Sequence, residues 1–238
     1  MQLVPLNSKS EEKEFIQFPV SLYRDTQNWI RPMDADIRAV FDPEKNKAFS
    51  NGDCRRWILK DDARTIGRIA AFVLRGTHKE SGDTISGGVG FFECIDDQKA
   101  ADMLFDAARD WLSEQGATYM DGPINFGRRD KWWGLLTKGF DVEPNYQCNY
   151  NFPYYAGLFE NYGFKTYYQQ YTFIRNVFDP LSKRLEYKSE LVASDSAYTF
   201  DHLRLSNFEK YASDIIEVYN KAWVKHEGVN ELSMEQGK

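Results

Sequence analysis

The sequence predicts an α/β protein with a mixed sheet and helices on its faces, and three observations carry that prediction. Two apolar, β-rich runs, "RRWILK" and "TIGRIAAFVL", flank Asp61-Asp62-Ala63-Arg64 and read as a hairpin. A strand at Val89–Cys94 runs into a helix whose Ala100, Met103, Leu104, Ala107, Ala108, Trp111 and Leu112 form one apolar stripe, the pattern of a helix laid on a sheet. Strands and helices then alternate along the chain, which favours a layered sheet over a bundle or a sandwich.

Taken in order, Gln2–Leu6 is a short strand, and Ser8 with Glu11 forms a capping box for a helix ending near Pro19 or Tyr23. A second short helix, Asp34 to Phe41, stops at Asp42-Pro43. After the hairpin, the glycine-rich stretch "SGDTISGG" leads into Val89–Cys94; its glycines precede a strand, so they do not make a phosphate loop. Gly116 closes the long helix as a left-handed cap. Further strands are expected at Thr118–Met120 and over "FKTYYQQYTFIRNV", with a short helix "YAGLFENYG" before the latter. Asp179-Pro180 is expected to open a connecting helix, "LSKRLEYKSELVA". Beyond it, "AYTFDHLRL" reads as a strand and "SNFEKYASDIIEVYNKAW" as a helix with its own box, Ser206 and Glu209. This repeats the order of residues 2–29 and suggests the start of a second copy of the fold. The expected organisation is one domain over 1–178, a linker over 179–196, and an incomplete second unit over 197–238.

The 238 residues carry a formal charge of −6, 42% hydrophobic and 16% aromatic side chains, ample for a core. The acidic balance argues against binding nucleic acid or an anionic membrane, because such affinity comes from clustered Lys and Arg. Cys54, Cys94 and Cys148 are dispersed, as are His78, His202 and His226, so neither a zinc spacing nor a disulfide framework is expected. The first residues lack the layout of a signal peptide and no apolar run has the length of a membrane span, which points to the cytoplasm. Oligomerisation is left open.

"LFDAARDWLSEQGA" and "YYAGLFENYGF", with the element order, resemble the GNAT superfamily of acyl-CoA-dependent N-acyltransferases; "FIQFPVSLYRDTQNWIRPM" and "GFFEC" are similar to a bacterial group built from two such domains. The resemblance implies a mostly antiparallel central sheet flanked by helices on both faces. It also implies acyl transfer from acetyl-CoA, or another acyl-CoA, to a small-molecule primary amine, without a metal. A non-catalytic binding module and one half of a tandem transferase remain the alternatives.

The resemblance places the cofactor along Phe92 and Cys94 and on the amides of Gln98, Lys99, Ala100 and Ala101. The family's glycine-bearing pyrophosphate turn falls here on Asp96-Asp97-Gln98-Lys99-Ala100-Ala101, of which only Ala101 matches. A carboxylate at a helix N-cap accepts from the amides a phosphate would need, so the aspartates are expected to stand in the anion's place. The family's proton-donating tyrosine falls on Phe159, leaving Tyr154, Tyr155 or Tyr162 as substitutes, with Tyr155 the choice. Glu93 is the candidate base if its strand face lines a cleft; otherwise it faces solvent or pairs with Arg56 or Arg68.

Acceptor-binding candidates are Arg128, Arg129, Trp132 and Trp133 in "NFGRRDKWWGLL", and Tyr150 and Tyr154 in "NYQCNYNFPYY". The first stretch combines guanidinium forks with indoles; its alternative is a helix start capped by Asp130 with buried tryptophans. The second combines apolar walls with polar tips, and its alternative is a buried connection whose Asn side chains satisfy loop backbone.

Overall fold

A computed structural model describes residues 1–75, 85–128, 131–224 and 231–237. The chain divides into two units, Met1–Thr166 and Tyr167–Lys238. In the first, β1 (Gln2–Pro5), β2 (Gly52–Asp61), β3 (Arg64–Arg75) and β4 (Ile85–Cys94) form an antiparallel sheet in sequence order. The hairpin turns on Asp62, whose φ of 50° is left-handed. The expected strand at Thr118–Met120 is reduced to a parallel bridge between Gly88 and Asp121.

Helices cover both faces. On one, α3 (Gln98–Glu114) and α4 (Tyr155–Tyr162) pack Leu104, Phe105, Ala108, Leu158 and Phe159 against Leu59, Ile69, Val73, Val89 and Phe92. The other face takes α1 (Lys9–Leu22) and α2 (Asp34–Val40), with Phe15, Ile37 and Val40 against Ile58, Ala70 and Phe72. Ser8 and Glu11 make the reciprocal capping box that starts α1, and Tyr23 caps its C-terminus beyond Pro19. Gly163 ends α4 with φ 117°. Apart from the strand expected between α3 and α4, the element order through α4 is the one the GNAT resemblance implies.

The glycines before Phe91 prove to lie inside β4, where residues 121–126 cross the sheet. A Cβ on Gly90 would sit 2.0 Å from the Ile124 carbonyl oxygen, so only glycine admits that crossing.

The second unit contains α5 (Lys183–Ser194) and α6 (Phe208–Trp223), the latter burying Ala212 and Ile216. Ser182, not Asp179, occupies the N-cap of α5, and Asn207 that of α6, so the second expected capping box is absent. No strand forms over residues 164–176 or 198–204. Their β-rich pattern finds no ladder partner, and Phe173 and Ile174 are 88% and 94% exposed, so neither face gains the burial that would hold a strand.

Candidate functional site

The candidate site is built around a bulge in β4. Arg68 pairs with Glu93 and Ala70 with Gly90, so Ile69 alone opposes both Phe91 and Phe92. Phe91 takes φ 51°, a left-handed conformation that is costly for an aromatic residue. The extra residue reverses the alternation of the strand. Before the bulge Val89 faces α3; after it Phe92 and Cys94 do, while Phe91 turns to the α1 side. Without the bulge, Glu93 would share the parity of Val89 and point into the α3 core.

Instead Glu93 meets two phenol donors and a guanidinium. Its Oε2 accepts from the Tyr23 hydroxyl at 2.5 Å and from the Tyr155 hydroxyl at 2.7 Å. Its Oε1 lies 3.6 Å from Arg68 Nη2, and the two side chains are only 12% and 8% exposed. Burial raises the Glu93 carboxyl above its ordinary range, partly offset by Arg68 and the two phenols. The same burial, with Glu93 beside them, holds the Tyr23 and Tyr155 phenols well above theirs. Arg68 also donates to the Phe15 carbonyl at 2.8 Å, and its Nε has no partner. The arginine-paired alternative for Glu93 therefore describes its setting, and Arg68, not Arg56, is the partner.

Pairing does not remove Glu93 from the surface of a cavity. A space of about 70 Å³ is lined by Arg68, Phe91, Phe92, Glu93, Tyr150 and Tyr155, by Trp132, Asn149 and Asn151 from the long connection, and by Trp29 to Pro32 after α1. That volume admits a small polar head group. Its walls mix apolar side chains, such as Ile16, Val20, Ile37 and Leu135, with the polar groups of Arg31, Asp34 and Arg68. In the connection the Asn side chains satisfy loop backbone, as one reading expects, and also border the cavity. Asn151 accepts from the Leu136 N–H at 2.7 Å and donates to the Leu136 and Phe152 carbonyls, and Asn149 donates to the Gly134 carbonyl, while both line the cavity.

Of the remaining acceptor candidates, Trp132 is buried in the cavity wall with its indole N–H unpartnered. Trp133 is half-buried, Arg128 is exposed, and neither lines the cavity. Arg129 and Asp130 lie outside the described residues. Tyr154 also stands apart from the cavity, donating to the Cys94 carbonyl at 2.7 Å.

The turn into α3 is organised differently. Asp97 caps the helix, its carboxylate accepting from the amides of Lys99 at 2.8 Å and Ala100 at 3.3 Å, and its carbonyl from Ala101. Ala100 and Ala101 are fully buried. The Gln98 side chain ties α3 to α4: its Nε2 donates to Asp102 and to the Leu158 carbonyl, and its Oε1 accepts from Asn161. Alongside, the Cys94 N–H donates to the Tyr155 hydroxyl at 2.9 Å and its carbonyl accepts from Tyr154. In this arrangement the amides of Lys99, Ala100 and Ala101, which a pyrophosphate would need, are already taken by Asp97.

Sequence reasoning missed Tyr23. Its signal was slight: an aromatic residue at the end of an amphipathic helix, distant in sequence from Glu93.

No family model matches the chain. Protein YghO of Escherichia coli K12 is 29% identical over 225 residues, covering 91% of this chain and 54% of its own length. A bacterial ceramide synthase of Caulobacter vibrioides is 25% identical over 224 residues, covering 94% and 58% respectively. The chain thus spans little more than half the length of these curated relatives. Among solved structures, a predicted acetyltransferase with acetyl-CoA from Clostridium acetobutylicum aligns over 72% of this chain and 96% of its own, at 12% identity and TM-score 0.43. A GCN5-related N-acetyltransferase from Ralstonia eutropha covers 73% and 97%, at 11% identity and TM-score 0.40. At these scores the structural likeness carries no weight for function. No helix among the described residues is long and apolar enough to cross a membrane.

Proposed function

We propose that this chain carries the amine-acceptor site of an N-acyltransferase, with Glu93 as the base. The observation that supports this best is a buried carboxylate of raised proton affinity in the wall of a cavity that mixes apolar and polar side chains. An alkylammonium entering the cavity would lose a proton to Glu93, freeing the nitrogen lone pair to attack the thioester carbon of an acyl-CoA; the amide C–N bond forms as the C–S bond breaks, and the CoA thiolate leaves and takes a proton. Acyl transfer to nitrogen is the chemistry implied by the GNAT resemblance, and an acyl-CoA is the donor class it implies. Ceramide is the amide of a long-chain amino alcohol, so the ceramide synthase relative points to an acceptor of that class. The cavity would hold its head group, and the tail would leave past Ile30, which is 50% exposed. Tyr155 is proposed as the acid that protonates the departing thiolate, regaining its proton from Glu93, to which its hydroxyl is bonded, with Trp132 and Tyr150 shaping the acceptor side.

A second reading has its own support. Asp97 fills the place of an anion, so the acyl donor either displaces it or is held by sequence beyond this chain, as in a tandem transferase; a non-catalytic binding module would also use such a turn.

The test is amide formation from a long-chain amino alcohol and a panel of acyl-CoAs, followed by mass spectrometry. Wild type is expected to form the amide, and Glu93→Gln to be slower by about 100-fold or more. Product formed equally by Glu93→Gln would remove Glu93 as base. Thermal scans with acyl-CoA read donor binding separately: saturation at about 100 times Kd adds roughly 2.7 kcal/mol.

A further inference from the structure

We infer that Tyr23 is a positioning residue for Glu93: it holds Oε2 in place and leaves Oε1 as the oxygen that meets a ligand in the cavity. The inference deepens the acceptor-site reading and rests on it for the identity of the ligand, though not for the geometry.

An ionised carboxylate oxygen accepts about two hydrogen bonds. On Oε2 both are used, by Tyr23 at 2.5 Å and Tyr155 at 2.7 Å. Oε1 faces Arg68 Nη2 at 3.6 Å, beyond hydrogen-bond distance, and Glu93 borders the cavity. The two oxygens are therefore unequal, and a cation arriving through the cavity finds its acceptor at Oε1.

The packing of Tyr23 suits it to this task. The residue caps the C-terminus of α1 and is 1% exposed. Its ring is stacked on Trp29 at 5.1 Å and on Phe152 at 4.7 Å. A rigid ring fixes its hydroxyl, and the hydroxyl in turn fixes a carboxylate whose last torsion is otherwise soft. The ionisable groups facing Glu93 are Arg68 from β3, Tyr23 from the end of α1, Tyr154 and Tyr155 at the start of α4, and Cys94 beside it on β4. Arg31 and Asp34 line the same cavity. Of these, Tyr23 and Tyr155 are the groups whose hydroxyls touch Oε2.

A hydrogen bond donated to the charged form lowers a carboxyl pKa, so its removal raises it. In ¹³C NMR of protein labelled at glutamate carboxyl carbons, with the Glu93 signal assigned by its loss in Glu93→Gln, Tyr23→Phe is expected to raise the Glu93 midpoint by about one pH unit. Tyr23→Phe keeps the stacked ring. Should it fail to fold, 2,3-difluorotyrosine inserted at position 23 gives a more acidic phenol and is expected to lower the midpoint. A midpoint that stays put, or moves the other way, overturns the inference even where amide synthesis is observed. Conversely, if no amine is acylated, the midpoint shift still stands or falls by itself. Where activity is found, Tyr23→Phe is expected to lower kcat by about tenfold with KM for the amine little changed, and to move the acid limb of the pH profile upward.

Discussion

Two neighbouring stretches of the first unit handle polar groups in opposite ways. Around Glu93, a buried carboxylate keeps one oxygen short of a full hydrogen bond, Arg68 Nε and Trp132 Nε1 have no partner, and a cavity adjoins all three residues. Around Asp97, the amides of Lys99, Ala100 and Ala101, the side chain of Gln98 and both backbone groups of Cys94 are bonded within the chain. Buried polar groups without partners in the chain are expensive, so each marks a place where a ligand, an ion or a water can supply what is missing. The Glu93 side is therefore the one we propose as the ligand-binding side.

The largest effect is expected at the ion pair. Glu93→Leu leaves Arg68 buried without its counter-charge and should cost about 3–5 kcal/mol by denaturant unfolding. Glu93→Gln should cost less, and its comparison with wild type carries a pH signature. Folding raises the Glu93 carboxyl above the ordinary value of 4.5, so its contribution to stability is greatest below that value and declines as pH rises through the folded midpoint. Wild type should therefore lose stability relative to Glu93→Gln across that window; an unchanged difference would mean that the carboxyl is not held as described.

Next comes the crossing that supports the cavity wall. Gly90→Ala drives a methyl group onto the Ile124 carbonyl and should cost about 1–3 kcal/mol, with altered tryptophan fluorescence as Trp132 shifts. At the closed turn the expected change is smaller and two-sided. Asp97→Ala removes a cap worth about 1 kcal/mol, and by freeing two amides it should enlarge the thermal shift given by acyl-CoA. Loss of stability without any gain in the acyl-CoA shift would mean that the turn is closed for reasons beyond its cap.

Thiol labelling gives the smallest effect. Burial pushes Cys94 up to about 12 and Cys54 up to about 11, whereas Cys148 is exposed. Native protein should label at Cys148 first near about pH 8, with Cys54 and Cys94 following only on unfolding.

Much of the closed region was legible in the sequence. The stripe of α3 is a local pattern, and Asp97 at a helix start is a local cap, so both follow from neighbours along the chain. Glu93 was legible as a residue but not as a geometry, because its direction depends on the bulge at Phe91, and "GFFEC" reads as plain alternation. Tyr23 was not legible as part of a site, since only tertiary packing brings the end of α1 to β4. The strands expected at 164–177 and 197–205 show the converse limit. Composition can favour an extended chain, but a ladder needs a partner.

The most direct test of the central claim is calorimetric titration of a long-chain amino alcohol into wild type and Glu93→Gln, without any acyl donor. If the Glu93 cavity is the acceptor site, wild type binds the amine and Glu93→Gln binds it about tenfold or more weakly, because the charge-assisted contact is lost. Equal binding by both proteins, or none by wild type, would contradict the assignment.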